Sequence, residues 1–318
     1  MMQKKQVGEK KSDCKNKDKK DSTETAFTIG FVGLGLMGGS FAKAIQKAHP
    51  SYRLLAYDKN PDTLEKAKKQ GLIAEGFSSQ PELMLIHCDL VYINLYPGMV
   101  ADFIIEHEKD FKSAAIISDI SGVKTKIAEK LSCLSRKDIA IVLGHPMAGS
   151  EKEGFDHANE SIFLGRNYIF IEDVAYAEAN PELHKKAIEQ LKELALTIGF
   201  SRTIETSATM HDHKIAFTSQ LCHVIASALV QSAEDTEITA FGGGSYEDLT
   251  RIAMINAPLW TELFLSNNTE LLKHIETFEK NLVNLKNLIS EKNKESLEKN
   301  LEAVREKRIA MNGKNIKT

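Results

Sequence analysis

A glycine-rich turn between an apolar segment and a helical segment constrains this chain more than any other feature. Residues 33–38 read GLGLMG and match the pattern G-x-G-x-x-G. In that pattern the first glycine permits a tight turn, the second lets the backbone approach a pyrophosphate, and the third lets the helix pack closely on the strand. The preceding stretch FTIGFV favours a buried strand and the following stretch favours a helix, which is the context that the pattern requires. We therefore predict a dinucleotide-binding strand–turn–helix unit, with a cofactor site at Gly33, Gly35, Leu36, Met37 and Gly38.

An acidic residue at the end of the second apolar segment supports this interpretation. Asp58 closes the stretch LLAYD and lies about twenty residues after the last glycine, as the dinucleotide-binding pattern requires. A carboxylate there accepts hydrogen bonds from a ribose 2′-hydroxyl and repels a 2′-phosphate, which favours NAD over NADP. The neighbouring Lys59 can soften that preference. Leu95 and Pro97, at the end of the stretch LVYINLYP, are assigned to the same cofactor site.

Strand and helix patterns alternate over the first half of the chain. From Phe27 to about Asp173, short apolar segments are separated by segments with helical spacing, an order that predicts a parallel sheet covered on both faces. After Pro181 the apolar residues recur at helical spacing almost throughout. The sequence thus predicts an α/β N-terminal Rossmann domain with a mostly parallel sheet over residues 26–178. An all-α helical domain is predicted over residues 179–318.

Composition narrows the classes of protein further. The 318 residues carry a formal net charge of -3 and a hydrophobic fraction of 42%, which indicates a globular protein without a bias toward nucleic acid or membrane partners. No apolar stretch approaches the ~20 residues that a membrane helix needs. The four cysteines lack the spacing of metal ligands, so we predict no metal site and a reducing, cytoplasmic location. Residues 1–25 are rich in lysine and poor in large apolar side chains, which predicts a disordered basic tail.

Two candidate catalytic side chains follow apolar segments that are predicted to be strands. His145 comes after the stretch DIAIVL, and Ser121 follows the stretch AAII. The carboxyl ends of parallel strands meet at one edge of the sheet, where a substrate would face the cofactor. An imidazole with an unperturbed pKa of about 6.5 suits a base that accepts a proton from an alcohol, and Pro146 restricts the backbone of His145 to an extended conformation. On these residues alone, a structural histidine at a turn remains an alternative.

Motifs distributed over residues 27–270 resemble those of the prephenate dehydrogenase family. Besides the glycine pattern, they are DISGVK at residues 119–124, GHPMAGSEK at 144–152, SQLCH at 219–223 and GGGSYEDLTRIA at 242–253. The resemblance implies a Rossmann domain followed by a helical dimerisation domain, and hence a homodimer. It also implies the NAD(P)-dependent oxidative decarboxylation of prephenate or arogenate in tyrosine biosynthesis. In that reaction a hydride leaves the ring carbon that bears the hydroxyl, and carbon dioxide leaves the opposite carbon.

The same resemblance implies roles for individual side chains. His145 matches the catalytic histidine, which binds the ring hydroxyl and accepts its proton, and Arg251 matches the arginine that binds a substrate carboxylate. The family often has a serine where this chain has Gly122, so the serine role is carried over to the neighbouring Ser121. The other positions that match the substrate pocket are Ser219, His223, Gly244, Trp260 and His211.

Two further functions are compatible with a dinucleotide-binding chain of this organisation. A dehydrogenase of the β-hydroxyacid type also joins a Rossmann domain to helices, but it uses a lysine from the helical half, for which Lys214 is the comparable candidate. A non-enzymatic protein that senses dinucleotides would bind NAD without turning over any cyclohexadienyl substrate. Within the resembled family, the sequence leaves the choice between prephenate and arogenate open.

Overall fold

A computed structural model describes residues 26–172 and 180–313 of the chain. The predicted basic tail at residues 1–25 lies outside the described residues. The strands are β1 Thr28–Val32, β2 Arg53–Tyr57, β3 Glu75–Phe77, β4 Leu90–Ile93, β5 Ile116–Asp119, β6 Ala140–Pro146, β7 Asn167–Ile171 and β8 Arg202–Thr206. Within the described ranges these strands form one sheet in the order β3-β2-β1-β4-β5-β6-β7-β8.

The sheet is parallel except at one pair of strands. β6 and β7 run antiparallel and align Gly144 with Phe170 and Pro146 with Tyr168, whereas all other neighbours are parallel. The predicted α/β fold with a mostly parallel sheet is therefore confirmed. The strand order reverses at β1, which has β2 on one side and β4 on the other. The carboxyl ends of β1 and β4 consequently border the crevice in which open α/β sheets bind their ligands.

The helices form two groups. Those that accompany the sheet are α1 Leu36–Ala48, α2 Pro61–Lys69, α3 Glu82–Leu85, α4 Pro97–Glu106, α5 Thr125–Leu131 and α6 Pro181–Thr197. Those that follow it are α7 Ala208–Ile215, α8 Leu221–Gln231, α9 Gly244–Thr250, α10 Ala257–Ser266, α11 Asn268–Ser290 and α12 Lys294–Gly313. A π-helical segment, Ala216–Gln220, joins α7 to α8. Single turns of 3₁₀-helix span Phe155–His157, Glu160–Phe163, Glu237–Phe241 and Arg251–Ala253.

Helices cover both faces of the sheet. On one face Ile29 and Phe31 of β1 share a core with Phe41 of α1. On the other face Val32 of β1 shares a core with Val100 of α4. Successive side chains of a strand point to opposite faces, so β1, which is buried throughout, must be apolar along its whole length.

The sheet domain extends further along the chain than the boundary predicted between residues 178 and 179. α6 buries Ala187, Ile188 and Leu191 in the same core as β1, and β8 pairs with β7. The sheet and its helices therefore end at Thr206. The spacing of α6 indicates an apolar face but not its packing partner, and β8 is a short edge strand with no fully buried side chain. Both features made the boundary hard to place from the sequence.

Beyond Thr206 the described chain is helical, as predicted, and its own core is small. The buried members of that core are Ala216, Leu221 and Leu271. The large apolar side chains that α11 and α12 leave exposed are Leu272, Leu282, Val283, Ile289, Leu301, Val304, Ile309 and Met311. Exposed apolar surface of this extent is typical of a contact with another protein chain. No helix in the described ranges is both long enough and apolar enough to cross a membrane.

Candidate active site

The glycine pattern forms the turn between β1 and α1. Gly33 has a φ of +91° and donates its N–H to the carbonyl oxygen of Tyr57 at 2.8 Å. A Cβ on Gly38 would lie 2.1 Å from the carbonyl oxygen of Gly33, so only glycine lets α1 approach the turn this closely. At Gly35, by contrast, no atom lies within 4 Å of a Cβ. The space beside the second glycine of the pattern is therefore open to solvent and not filled by protein atoms.

The N-terminus of α1 is free to bind an anion. Its N-cap is Gly35, which has no side chain to act as a cap, and no acidic residue lies in the first turn. The first N–H groups of a helix lack intrahelical acceptors and carry partial positive charge. The N–H groups of Leu36, Met37 and Gly38 are therefore suited to a phosphate.

Asp58 directly follows β2 and supports the glycine turn from the side. Its carboxylate accepts hydrogen bonds from the N–H groups of Leu34 at 2.7 Å and Asn60 at 2.8 Å. The side chain is half-buried. A carboxylate has about four lone-pair sites, so Asp58 can hold the turn and still accept a hydrogen bond from a ribose hydroxyl.

A cleft of about 660 Å³ lies between the carboxyl edge of the sheet and the helices that follow it. This volume is within the range of small-molecule sites. The predicted residues that line it are Gly35, Leu36, Met37, Gly38, Leu95, Pro97, Ser121, His145, Ser219, His223, Arg251 and Trp260. Four predicted residues do not line it, namely Gly33, Asp58, His211 and Gly244.

His145 lies within β6, which continues one residue past it, and not after the strand end as predicted. Pairing with β7 aligns His145 with Ile169 and holds its backbone extended. Its Nδ1 lies 2.9 Å from Nε2 of His211. Nε2 of His145 receives no hydrogen bond from the described residues, and a Cβ placed on Gly122 would lie 3.8 Å from it. This ring nitrogen therefore remains available to a ligand in the cleft.

The hydroxyl of Ser121 points into a buried ionic cluster and not toward His145. Its Oγ lies 2.5 Å from Oδ2 of Asp119 and 3.0 Å from the carbonyl oxygen of Val123. Within the described chain no hydrogen bond joins Ser121 to His145. The predicted catalytic role of Ser121 thus lacks the contact that it needs, because the loop turns this side chain inward. The next residue, Gly122, occupies the position that faces the imidazole.

A fully buried ion pair, which the sequence analysis did not identify, lies beside the histidine. Neither Lys124 nor Asp119 exposes any side-chain surface, and Nζ lies 2.7 and 2.6 Å from the two carboxylate oxygens. Asp119 also accepts the N–H of Gly144 at 3.2 Å, which joins the ends of β5 and β6. Burial lowers the pKa of Lys124, although Asp119 opposes this effect. Burial also holds the pKa of His145 well below its usual range, and the nearby His211 and Lys124 act in the same direction.

Asp212 is a second buried acid that no sequence motif singled out. Its carboxylate accepts the N–H groups of Lys124 at 2.9 Å and Thr125 at 2.8 Å, and it lies 2.8 Å from Nδ1 of His211. Burial raises the pKa of Asp212, but hydrogen bonds from His211 and Thr125 outweigh it and place that pKa below its usual value. His211, which was predicted to contact a substrate, instead lies behind His145 and joins it to Asp212.

The helical half supplies an aromatic pair and a cation to the cleft. The rings of His223 and Trp260 stack with their centroids 3.5 Å apart. Nδ1 of His223 lies 2.9 Å from the carbonyl oxygen of Ser219 and donates to it, because a carbonyl only accepts. Arg251 is exposed and has no ion-pair partner in the described ranges, so its guanidinium can bind a carboxylate.

Two other candidates lie outside the cleft. Gly244 begins α9 in an exposed turn, and no atom lies within 4 Å of a Cβ placed on it, so it makes no close approach to the site. Lys214 is exposed on α7 and does not line the cleft. A lysine from the helical half, which a β-hydroxyacid mechanism requires, is therefore missing from the cleft lining in the described part of the chain.

The fold and the cleft together define a two-part, nucleotide-binding oxidoreductase. The sheet half presents a glycine turn and a histidine, and the helical half presents an aromatic pair and an arginine. Comparison with known sequences gives the family. The chain belongs to the prephenate dehydrogenase family: residues 41–199 match its nucleotide-binding domain, and residues 207–303 match its dimerization domain. β8 occupies the interval between these two matches.

Relatives in this family cover most of the chain. A prephenate dehydrogenase of Bacillus subtilis is 28% identical over 281 residues, which are 85% of this chain and 72% of the relative. A cyclohexadienyl dehydrogenase of Zymomonas mobilis is 28% identical over 289 residues, which are 89% of this chain and 95% of the relative. A solved prephenate dehydrogenase from A. aeolicus, in complex with hydroxyphenyl propionate and NAD+, is 28% identical with a TM-score of 0.79. That match covers 91% of this chain and 99% of the other.

Proposed function

We propose that this chain catalyses the NAD-dependent oxidative decarboxylation of prephenate to 4-hydroxyphenylpyruvate, a step of tyrosine biosynthesis. The observation that carries the proposal is the position of His145. Its Nε2 has no partner among the described residues, and the cleft that it lines is bordered by the glycine turn and by Arg251. The A. aeolicus structure, which contains NAD+ and a hydroxyphenyl ligand, supports both the cofactor and the class of substrate.

The proposed reaction requires the protein to orient one ring and to hold one proton. NAD, when bound, supplies the hydride acceptor for the ring carbon that bears the hydroxyl. As that hydride leaves, Nε2 of His145 takes the hydroxyl proton, and the electron pair released with carbon dioxide completes the aromatic ring. The proton then returns to the phenol oxygen. Arg251 binds a substrate carboxylate, while His223 and Trp260, with the Ser219 backbone, form the wall against which the ring is held.

The residues around the glycine turn fit NAD. The free N–H groups at the start of α1 suit the pyrophosphate, and Asp58 suits the ribose 2′-hydroxyl while repelling a 2′-phosphate. Leu95 and Pro97 also line the cleft, and we expect them to flank the cofactor beyond the turn.

Replacing Gly35 with alanine is expected to weaken NAD binding about tenfold or more without affecting folding, since one methylene in a tight contact is worth ~1–3 kcal/mol. The φ of Gly35 is -68°, which alanine adopts freely, and no protein atom lies within 4 Å of the added carbon. Only a bound pyrophosphate would meet the methyl group. Calorimetric titration with NAD and urea unfolding measure the two effects, and Gly243→Ala, also free of neighbours but outside the cleft, is the matched control. Unchanged NAD affinity in Gly35→Ala would place the pyrophosphate elsewhere.

A coupled assay tests the proposed function directly. Purified full-length protein with prephenate and NAD is expected to produce the absorbance of the reduced cofactor together with 4-hydroxyphenylpyruvate. The same assay is run with arogenate and with NADP. Turnover of arogenate alone would make the chain an arogenate dehydrogenase, which is the alternative within the family. NAD binding with no turnover of either substrate would refute the enzymatic proposal and favour a dinucleotide-sensing protein.

We further propose that the chain forms a homodimer through its helical half. The match of residues 207–303 to a dimerization domain supports this, and the exposed apolar side chains of α11 and α12 provide a surface for it. A cytoplasmic location is supported by the scattered spacing of the four cysteines, which indicates no disulfide framework. The net charge of -3 provides no basis for a nucleic-acid or membrane partner.

A further inference from the structure

We propose that Asp212 and His211 are positioning residues that fix His145 in the tautomer whose unprotonated Nε2 faces the cleft. The hydrogen-bonded series Asp212–His211–His145 carries the proposal, with contacts of 2.8 and 2.9 Å. The catalytic consequence rests on the proposed function, because it requires a substrate hydroxyl at His145. The tautomer itself is a property of the protein alone and can be observed without any substrate.

Asp212 sets the direction of the first hydrogen bond. An ionised carboxylate only accepts hydrogen bonds, and Asp212 already accepts the N–H groups of Lys124 and Thr125. Its pKa lies below the usual carboxyl value, so it is ionised at neutral pH. Nδ1 of His211 must therefore carry a proton and donate it to Asp212.

The position of the proton on His211 determines the position of the proton on His145. A neutral imidazole has one donor and one acceptor nitrogen. The ring of His211 is fully buried, and burial lowers its pKa, so it is neutral at pH 7. With the proton on Nδ1, its Nε2 is an acceptor, and among the described residues the group that meets it is Nδ1 of His145. Nδ1 of His145 must therefore be the donor, which leaves Nε2 of His145 without a proton.

The series is held rigidly at its far end. The two backbone N–H groups that Asp212 accepts begin α5, and the side chain of Asn267 donates to the Asp212 carbonyl oxygen at 2.8 Å. The carboxylate therefore cannot rotate away from His211 without losing hydrogen bonds to the sheet half. This anchoring distinguishes a positioning role from a simple packing contact, since packing alone would leave both tautomers of His145 accessible.

The first test is spectroscopic and uses the full-length protein without ligands. ¹⁵N-edited NMR at neutral pH distinguishes a protonated from an unprotonated ring nitrogen. We expect Nδ1–H and an unprotonated Nε2 in both His145 and His211, assigned by comparing spectra of the His145→Asn and His211→Gln variants with the wild type. A proton on Nε2 of His145 would overturn the proposal, whatever the enzyme turns out to oxidise.

The second test compares two replacements of His211. In His211→Gln the carboxamide oxygen lies near the former position of Nε2 and still accepts from His145, whereas His211→Leu removes the acceptor. Because correct general-base catalysis contributes about 10²–10⁴-fold, we expect His211→Leu to lower kcat about 100-fold and His211→Gln to retain kcat within about tenfold. KM for the substrate and the NAD affinity should change less than threefold in both variants.

His213→Leu is the matched control, because His213 lies on the same helix but bonds to Glu270 and does not line the cleft. Its kcat should stay within about twofold of wild type. Equal kcat values for His211→Leu and His211→Gln would overturn the positioning role. If His211→Leu fails to fold, the NMR result and the rescue by glutamine decide the question. If wild-type protein turns over neither substrate, the proposed function fails while the NMR result still decides the tautomer.

Discussion

With asparagine in place of His145, kcat is expected to fall by about 10²–10⁴-fold while NAD still binds. The amide of asparagine reaches about as far as Nδ1 and can keep the contact with His211, but it places no atom at Nε2, where the substrate proton is accepted. The loss is therefore expected in catalysis and not in folding. Steady-state kinetics with prephenate, together with calorimetric titration of NAD, measures both quantities.

His157→Asn provides a control, because His157 is exposed in a short 3₁₀-helix and does not line the cleft. It should retain wild-type kinetics. A kcat of His145→Asn within about threefold of wild type would show that His145 is not the base. A variant that lost NAD binding as well would instead point to a structural role.

The same histidine determines how activity depends on pH. A base works only when unprotonated, so kcat/KM is lost as the pH falls through the pKa of His145 in the free enzyme. Burial, with His211 and Lys124 nearby, holds that pKa well below its usual range. The two buried acids near His145, Asp119 and Asp212, are occupied by Lys124, His211 and backbone N–H groups. The kcat/KM profile should therefore stay level through the usual imidazole pKa of about 6.5 and fall only at more acidic pH.

Replacing Lys124 with methionine is expected to lower the free energy of unfolding by about 3–5 kcal/mol, the typical cost of removing one partner of a buried ion pair. Asp119 would remain without solvent contact and without its cation, although it would keep hydrogen bonds from Ser121 and Gly144. Urea unfolding followed by circular dichroism measures the change.

Lys130→Met is the matched control, because Lys130 pairs with Asp102 at the surface, where both side chains are more than half exposed. Exposed pairs contribute ~0–1 kcal/mol, so this variant should unfold almost as the wild type does. Adding Asp119→Asn to the Lys124→Met variant removes the unpaired charge and should restore part of the stability. A loss below about 1 kcal/mol in Lys124→Met alone would mean that water reaches the pair.

Local signals made the nucleotide-binding half predictable. The glycine turn, the strand before it and the acid directly after β2 are indicated by spacing along the chain, and the structure places the Asp58 carboxylate against the turn. The end of the sheet was misplaced because α6 could pack on a sheet or on other helices with the same apolar face. Only the parallel pairing of β7 with β8 decides between them.

The interior of the site could not be deduced in the same way. Lys124 and Asp212 are 88 residues apart, and nothing in either segment indicates that the carboxylate accepts the backbone N–H. The only local signal for the histidine series was that Asp212 directly follows His211. The orientation of Ser121 depended on which of two adjacent loop residues points outward. In the structure its hydroxyl points inward, 2.5 Å from Oδ2 of Asp119 and 3.4 Å from Nζ of Lys124.

The π-helical segment Ala216–Gln220 determines how two histidines on one continuous helix are oriented relative to each other. His211 precedes it and His223 follows it, twelve residues later in the chain. In a regular helix of 3.6 residues per turn, twelve residues make about three and one third turns, so the two histidines would face directions roughly 120° apart. A π-helical turn accommodates about one extra residue, which reduces the interval to about three whole turns.

The wider turn thus sets the angular phase of α8 against that of α7. His211 can therefore contact His145, while His223, further along the same helix, lines the cleft with Trp260. If the same residues formed a regular α-helix instead, the face of α8 that carries His223 would be rotated by roughly 100° relative to His211. The alignment of His211, which lies behind His145, with His223, which lines the cleft, therefore depends on the one extra residue that the π-helical turn accommodates.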